Sequence, residues 1–273
     1  MNVQINPGEM VIDISPFFIK FIMKILLNIA THGNEKIGQR VVKELEKLNI
    51  DKKTLVVQIA NERAFRLNKR CIDQDLNRSF PGKKNGNYEE RRAYELSPII
   101  KSADIVIDLH STTSALKDAF IVTKLDKKTL EYTKVIQPKY VLIMNATKNN
   151  ALISQAKVGI AFEYGKDNDI FVVRKIVIGV KKILKHLKII HANLPNSKIV
   201  TSYFDVTSTV DKPKGYKLLK KIKNYKIVCK GEVYAKKGNL KLIAKKDFYP
   251  IIFGDKNYKD IFGFEAKKIN INY

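Results

Sequence analysis

Three apolar runs in this chain end abruptly on polar residues of one chemical kind, and that repetition restricts the folds open to it. Residues 24–30 run into Thr31-His32-Gly33-Asn34-Glu35, residues 104–109 into His110-Ser111-Thr112, and residues 157–162 into Glu163-Tyr164-Gly165. Between these runs the apolar period changes. Ile37, Val41, Leu45 and Leu48 recur at helical spacing and predict a helix over 35–48. Residues 54–60 and 140–144 read as further strands, and 89–102 and 124–137 as helices. A stripe from Ile170 to Leu187, with Arg174, Lys175, Lys181, Lys182 and Lys185 on its other side, predicts an amphipathic helix packed on a sheet. Strands alternating with helices imply an α/β fold, a largely parallel sheet with helices on both faces. Ligands collect at the carboxyl ends of such strands. His32, His110 and Glu163 all fall at that edge.

The residue types at that edge suggest a metal. His32 and Glu35 lie three apart where strand gives way to helix, so both side chains can converge on one ion. A lone His-x-x-Glu is common by chance and is usually a surface pair. A second buried strand ending on His110 changes that balance. Two imidazoles and one carboxylate form the three-ligand set of a catalytic zinc, one per chain, with a fourth position left open. Glu163 then offers a carboxylate for moving the water's proton to a leaving amine. A second polar stretch, Asn61-Glu62-Arg63-Ala64 followed by residues 71–82, lies between two of these strands. Arg63, just past a strand end, is suited to stabilising an oxyanion. Arg78 can grip a carboxylate bidentately, with Asn77 adding a hydrogen bond.

Composition limits the alternatives. The 273 residues carry 51 Lys and Arg against 27 Asp and Glu, a formal net charge of +24. The lysines look scattered along helices and turns. No aromatic-basic motif for nucleic acid is visible, so a specific nucleic-acid partner is not expected. The general positive field suits a small anionic substrate. Two cysteines, Cys71 and Cys229, cannot make a disulfide framework and fit a reduced, cytoplasmic setting. Residues 17–30 are apolar but broken by Lys20 and Lys24, too short and too charged for a span of about 20 residues. After residue 196 long helices give way to short β-type runs punctuated by Gly, Pro and Asn. The expected organisation is an N-terminal extension over 1–22, a zinc-dependent catalytic domain over 23–196 and a smaller β-rich domain over 197–273.

The order of THGNE, NERA, DQDLNRSFPG, DLHSTTS and FEYG resembles the aspartoacylase and succinylglutamate desuccinylase family, a branch of the zinc carboxypeptidase superfamily, over about residues 24–258. The resemblance implies a carboxypeptidase-like mixed sheet flanked by helices, with a C-terminal β domain, and hydrolysis of an N-acyl amino acid. By motif position His32, Glu35 and His110 would hold the zinc, Glu163 would be the general acid–base and Arg63 would face the carbonyl oxygen. Asn77 and Arg78 would hold a substrate carboxylate, and Tyr258 takes the place of a substrate-binding tyrosine. One departure bears on the substrate. Aspartoacylase proper has a second carboxylate-binding arginine ten residues before its glutamate, and that position is Ile153 here. A small acyl amino acid with a neutral or apolar side chain is therefore expected over N-acetylaspartate. The rival readings are a carboxypeptidase-like or ester-cleaving relative, and a non-catalytic polyanion-binding protein. A homo-oligomer is compatible with all of them.

Overall fold

The computed structural model describes residues 23–112, 118–144, 149–196 and 199–271. The expected extension over 1–22 lies outside the described residues. The centre is a nine-stranded mixed sheet in the order β11-β12-β7-β5-β4-β6-β3-β1-β2. Its strands are β1 (Ile25–Ile29), β2 (Leu55–Ile59), β3 (Ile105–His110), β4 (Ala119–Val122), β5 (Tyr140–Ile143), β6 (Gly159–Glu163), β7 (Ser202–Asp211), β11 (Tyr249–Ile251) and β12 (Ile261–Ile269). A separate antiparallel sheet joins β8 (Lys217–Leu218), β9 (Val233–Lys237) and β10 (Leu240–Ile243).

Strands β2, β1, β3 and β6 run parallel, as the alternating pattern predicts. The short β4 then inserts antiparallel to β6 and reverses the direction for β5 and β7. Residues along β1 alternate between two cores. Ile25, Leu27 and Ile29 pack with α1 (Ile37–Leu45), α4 (Lys127–Ile136) and α5 (Ile170–His186). Leu26 packs on the opposite face with Ala93, Leu96 and Ile100 of α3 (Tyr88–Ser102). Both faces are therefore buried, which is why these strands are continuously apolar.

The boundary expected at residue 196 does not interrupt the sheet. β7 pairs parallel with β5, and β12 and β11 extend it further antiparallel. Among the described residues, β8–β10 are the strands that form a sheet of their own. No helix among the described residues is long and apolar enough to cross a membrane, and residues 25–29 of the N-terminal apolar run are the buried strand β1.

Candidate metal centre and its pocket

Strand order places the site. β1, β3 and β6 are neighbours and parallel, so their carboxyl ends emerge side by side. The chain leaves β1 into a turn carrying His32 and Glu35, with Glu35 N donating to the His32 carbonyl at 3.0 Å. Helix α1 starts only at Ile37. Its first amides, from Lys36 and Ile37, each donate to Asp167 Oδ1 at 2.9 Å, which ties the turn carrying His32 and Glu35 to the loop after β6. Gly33 allows this turn to lie flat, because a Cβ there would sit 2.2 Å from the Ala64 backbone.

Among the described residues, His32, Glu35 and His110 are the group whose ligand atoms all lie within 4.8 Å of one another. Glu35 stands between the two rings, Oε1 2.7 Å from His32 Nδ1 and Oε2 3.0 Å from His110 Nδ1. Each histidine's other nitrogen meets a carboxylate. His110 Nε2 lies 2.8 Å from Asp108 Oδ2, and His32 Nε2 lies 3.2 Å from Asp75 Oδ1. Asp108 is itself held, accepting at Oδ1 from Thr31 (2.8 Å) and Asn28 (3.1 Å). Histidines that bind metals characteristically anchor their remote nitrogen in this way, which fixes the tautomer and aims the free nitrogen. The donor set and its supports fit a divalent ion such as zinc.

The electrostatics follow from close pairing in a dry place. Burial opposes ionisation of Glu35, but His32 and His110 outweigh it and hold the carboxyl below its ordinary range. Burial likewise works against a charged His110, and Asp108 and Glu35 outweigh it, so the imidazole holds its proton well above its usual value. Glu163 is different. It ends β6 directly opposite His110 in the register, and burial, with Glu35 nearby, pushes its carboxyl up to about 7 against the pull of the histidines.

These groups line one end of a cavity of about 790 Å³ that also receives Arg70, Asp75, Asn77, Arg78 and Tyr258. Its other wall is apolar and includes Ile121, Met144, Ile153, Ile252, Ile261 and Phe264. Asn77 Oδ1 accepts from Leu152 N at 2.8 Å, which leaves the amide NH₂ as the group available to a ligand. Burial pushes the Tyr258 hydroxyl up to about 12. Ile153 is buried in the turn over residues 152–155. Its carbonyl lies so close to Gly159 that a Cβ there would fall 2.0 Å from it.

Seven of the eight residues singled out from the sequence therefore meet at one cavity. Arg63 does not. It sits on the five-residue helix α2 (Glu62–Arg66), exposed, with its guanidinium 5.6 Å from the Tyr88 ring centroid, and it is not part of the cavity lining. The chain then reverses through Asn68, at φ 51°, and brings Arg70 to the site instead. The Arg70 carbonyl accepts from Gly33 N at 3.1 Å, and its Nη2 lies 2.8 Å from both Asp75 Oδ2 and His32 Nε2. Asp75 and Asp108 also went without a role in the sequence reading. Their only signal there was position, one just ahead of Asn77-Arg78 and the other two residues before His110.

One buried carboxylate shapes the loop that carries these groups. Glu89 on α3 accepts from three consecutive backbone amides, Ile72 (2.6 Å), Asp73 (2.9 Å) and Gln74 (3.2 Å), and from the Asn61 side chain. The loop is thereby fixed just before Asp75, Asn77 and Arg78.

Comparison with known proteins agrees with this architecture. Residues 22–188 match the family described as succinylglutamate desuccinylase/aspartoacylase catalytic domain, and the chain belongs to that family. It is 31% identical over 170 residues to a probable aspartoacylase of Trichodesmium erythraeum, covering 54% of this chain and 57% of that one. It is 36% identical over 126 residues to an N-acyl-aromatic-L-amino acid amidohydrolase (carboxylate-forming) of Xenopus tropicalis, covering 41% of each. The chain thus spans only about half the length of these two relatives. The crystal structure of murine aminoacylase 3 superposes with a TM-score of 0.73 at 20% identity, over 91% of this chain and 96% of that one, and shares the fold.

Proposed function

We propose that the protein is a zinc-dependent amidohydrolase that cleaves a small N-acyl amino acid into a carboxylate and a free amine. The observation that supports this reading is the pairing of Glu163 with His110 at adjacent strand ends, a buried carboxylate beside three residues that could hold an ion. His32, Glu35 and His110 would hold the ion. When bound, zinc lowers the pKa of water toward about 7 and polarises a carbonyl.

The remaining work falls to the chain's own side chains. Glu163 accepts the proton of the attacking water and delivers it to the departing nitrogen. Arg70, rather than Arg63, is the guanidinium within reach of charge developing on the carbonyl oxygen. Arg78 pairs with a substrate carboxylate, and the Asn77 amide donates beside it. Tyr258 donates its hydroxyl hydrogen to the substrate, and the rise in its pKa keeps it protonated at neutral pH.

Ile153 narrows the substrate class. An apolar side chain cannot pair with a second carboxylate, and burying that charge unpaired is costly. A monoacidic substrate with a neutral or apolar side chain suits the wall formed by Ile121, Met144, Ile153 and Phe264. The test is a screen of the zinc-loaded protein over acetyl, succinyl and longer acyl amino acids. The expected result is a higher kcat/KM for apolar side chains than for N-acetylaspartate, with Ile153→Arg shifting the preference toward the aspartate derivative. A wild-type preference for N-acetylaspartate would defeat the specificity argument and leave the metal chemistry standing.

A further inference from the structure

The charge of this chain is not spread evenly. Residues 212–246, which contain β8, β9 and β10, hold thirteen lysines, no arginine and one acid, Glu232. That stretch therefore carries a net +12 of the chain's +24. Twelve of the thirteen lysines are exposed; Lys212 alone is partly buried.

The register of the small sheet concentrates the charge further. Lys217 on β8 pairs with Lys236 on β9, and Lys236 pairs with Lys241 on β10. Paired residues in neighbouring strands point to the same face, about 4.8 Å apart. Three exposed lysines thus stand in a row across the full width of the sheet. Like charges placed directly opposite are destabilising, and among the described residues no acid forms an ion pair with this row. Glu232 pairs with Lys221, and Glu265 with Lys246. The sheet's other face is committed to the core, where Leu218, Ala235 and Leu242 pack with Val210, Phe248 and Phe262. The lysine row is therefore the free face of a sheet anchored from behind. On the edge strand β10 the exposed Leu240 alternates with Lys241, and Ile243 pairs with Val233 on the Ala235 side, so both belong to the opposite face and the lysine row itself is purely basic.

We infer that this face is a docking surface for an anionic phospholipid bilayer, whose headgroup phosphates the lysine row binds. A flat row of lysines, backed by the other exposed lysines of residues 212–246, matches the anionic headgroup layer of a bilayer surface. Nucleic acid fits less well. Arginine, the residue suited to bidentate phosphate contact, is missing from residues 212–246. The tyrosines of this stretch, Tyr216, Tyr225 and Tyr234, are partly buried rather than presented for base stacking. The surface is separate from the metal centre and does not depend on the chemistry there.

The experiment is co-sedimentation of the full chain with vesicles of phosphatidylcholine alone and of equal parts phosphatidylcholine and phosphatidylglycerol. The wild type should bind only the anionic vesicles and be released by salt. Each lysine at such a surface contributes about 1 kcal/mol, so Lys217→Gln/Lys236→Gln/Lys241→Gln should weaken binding roughly a hundredfold. A charge-matched control, Lys52→Gln/Lys53→Gln/Lys84→Gln, removes three exposed lysines elsewhere and should bind like the wild type. Absence of wild-type binding to anionic vesicles would overturn the inference, and so would equal losses in the two triple variants. Binding to single-stranded nucleic acid through the same three lysines, without vesicle binding, would assign the face to nucleic acid instead.

Discussion

The metal-site edge of the main sheet and the outer face of the small sheet treat charge in opposite ways. At the first, His110, Asp108, Glu35 and His32 are buried or nearly so, and each is held by a partner of opposite character within 3.2 Å. At the second, Lys217, Lys236 and Lys241 are exposed and stand against each other with no acid in the row. Buried charge is expensive unless paired, so the site must specify every contact and its geometry becomes rigid. Exposed charge is screened by water and salt, so the lysine face can tolerate repulsion and remain available to something outside the protein. Substitutions should therefore act locally and strongly at the first region, and weakly and with salt dependence at the second.

The largest effect expected is at Glu163. Glu163→Gln should keep its zinc while turnover falls by about 10²- to 10⁴-fold, because an amide cannot accept the water's proton. Loss of the metal instead would make Glu163 a ligand. The wild type should also show an acid limb in kcat/KM. A carboxyl raised above 4.5 toward about 7 is protonated, and useless as a base, below its pKa. A bound cation favours the ionised form, so the limb should fall between those two values and disappear in Glu163→Gln.

Next comes the choice between two arginines. Arg70→Met should lower kcat by about 10²-fold, the scale of losing one donor to a developing oxyanion. Arg63→Met, removing a guanidinium exposed over Tyr88, should leave kcat near the wild-type value. The reverse outcome would show that the loop rearranges when substrate binds. A smaller effect is expected one contact further out. Asp108→Asn leaves the three ligands intact but weakens the hold on His110 Nε2. Zinc affinity, measured by competition with a chelator, should fall about 10- to 100-fold.

The same contrast explains which parts were legible in the sequence. The candidate ligands stood out because a polar residue closing a buried apolar strand has few structural reasons to be there, and three strands repeated the pattern. β1, β2, β3, β5 and β6 were readable for the same reason. β4 was not, since four residues flanked by loops give no period, and with it went the reversal of sheet direction. β12 hides behind Gly263 and the pair Lys267-Lys268, although Phe262, Phe264 and Ala266 alternate inward as a strand requires. Arg70 was missed because its position depends on a reversal at Asn68, a left-handed residue after a five-residue helix, and neither feature marks itself in composition. The lysine row was invisible for a related reason. Its three members lie 19 and 5 residues apart, and only strand register brings them together.

The smallest effect should distinguish the two regions most clearly. At the metal site, removing one charge leaves another buried and unpaired, so stability should drop. In the lysine row, removing charge relieves repulsion, so stability should rise. Opposed like charges across a sheet cost a few tenths to about 1 kcal/mol per pair, and the row contains two such pairs. Lys217→Gln/Lys236→Gln/Lys241→Gln should therefore raise Tm by about 2–4 °C at low salt, given the modest Tm response of a chain this long. The gain should shrink toward zero near 1 M salt, where the screening length falls to about 3 Å, shorter than the spacing between the strands. Lys52→Gln/Lys53→Gln/Lys84→Gln removes the same charge from elsewhere and should shift Tm much less, because no lysine among these faces another across a ladder. Equal shifts in the two triple variants would trace the repulsion to the total charge of +24 rather than to the register of one small sheet.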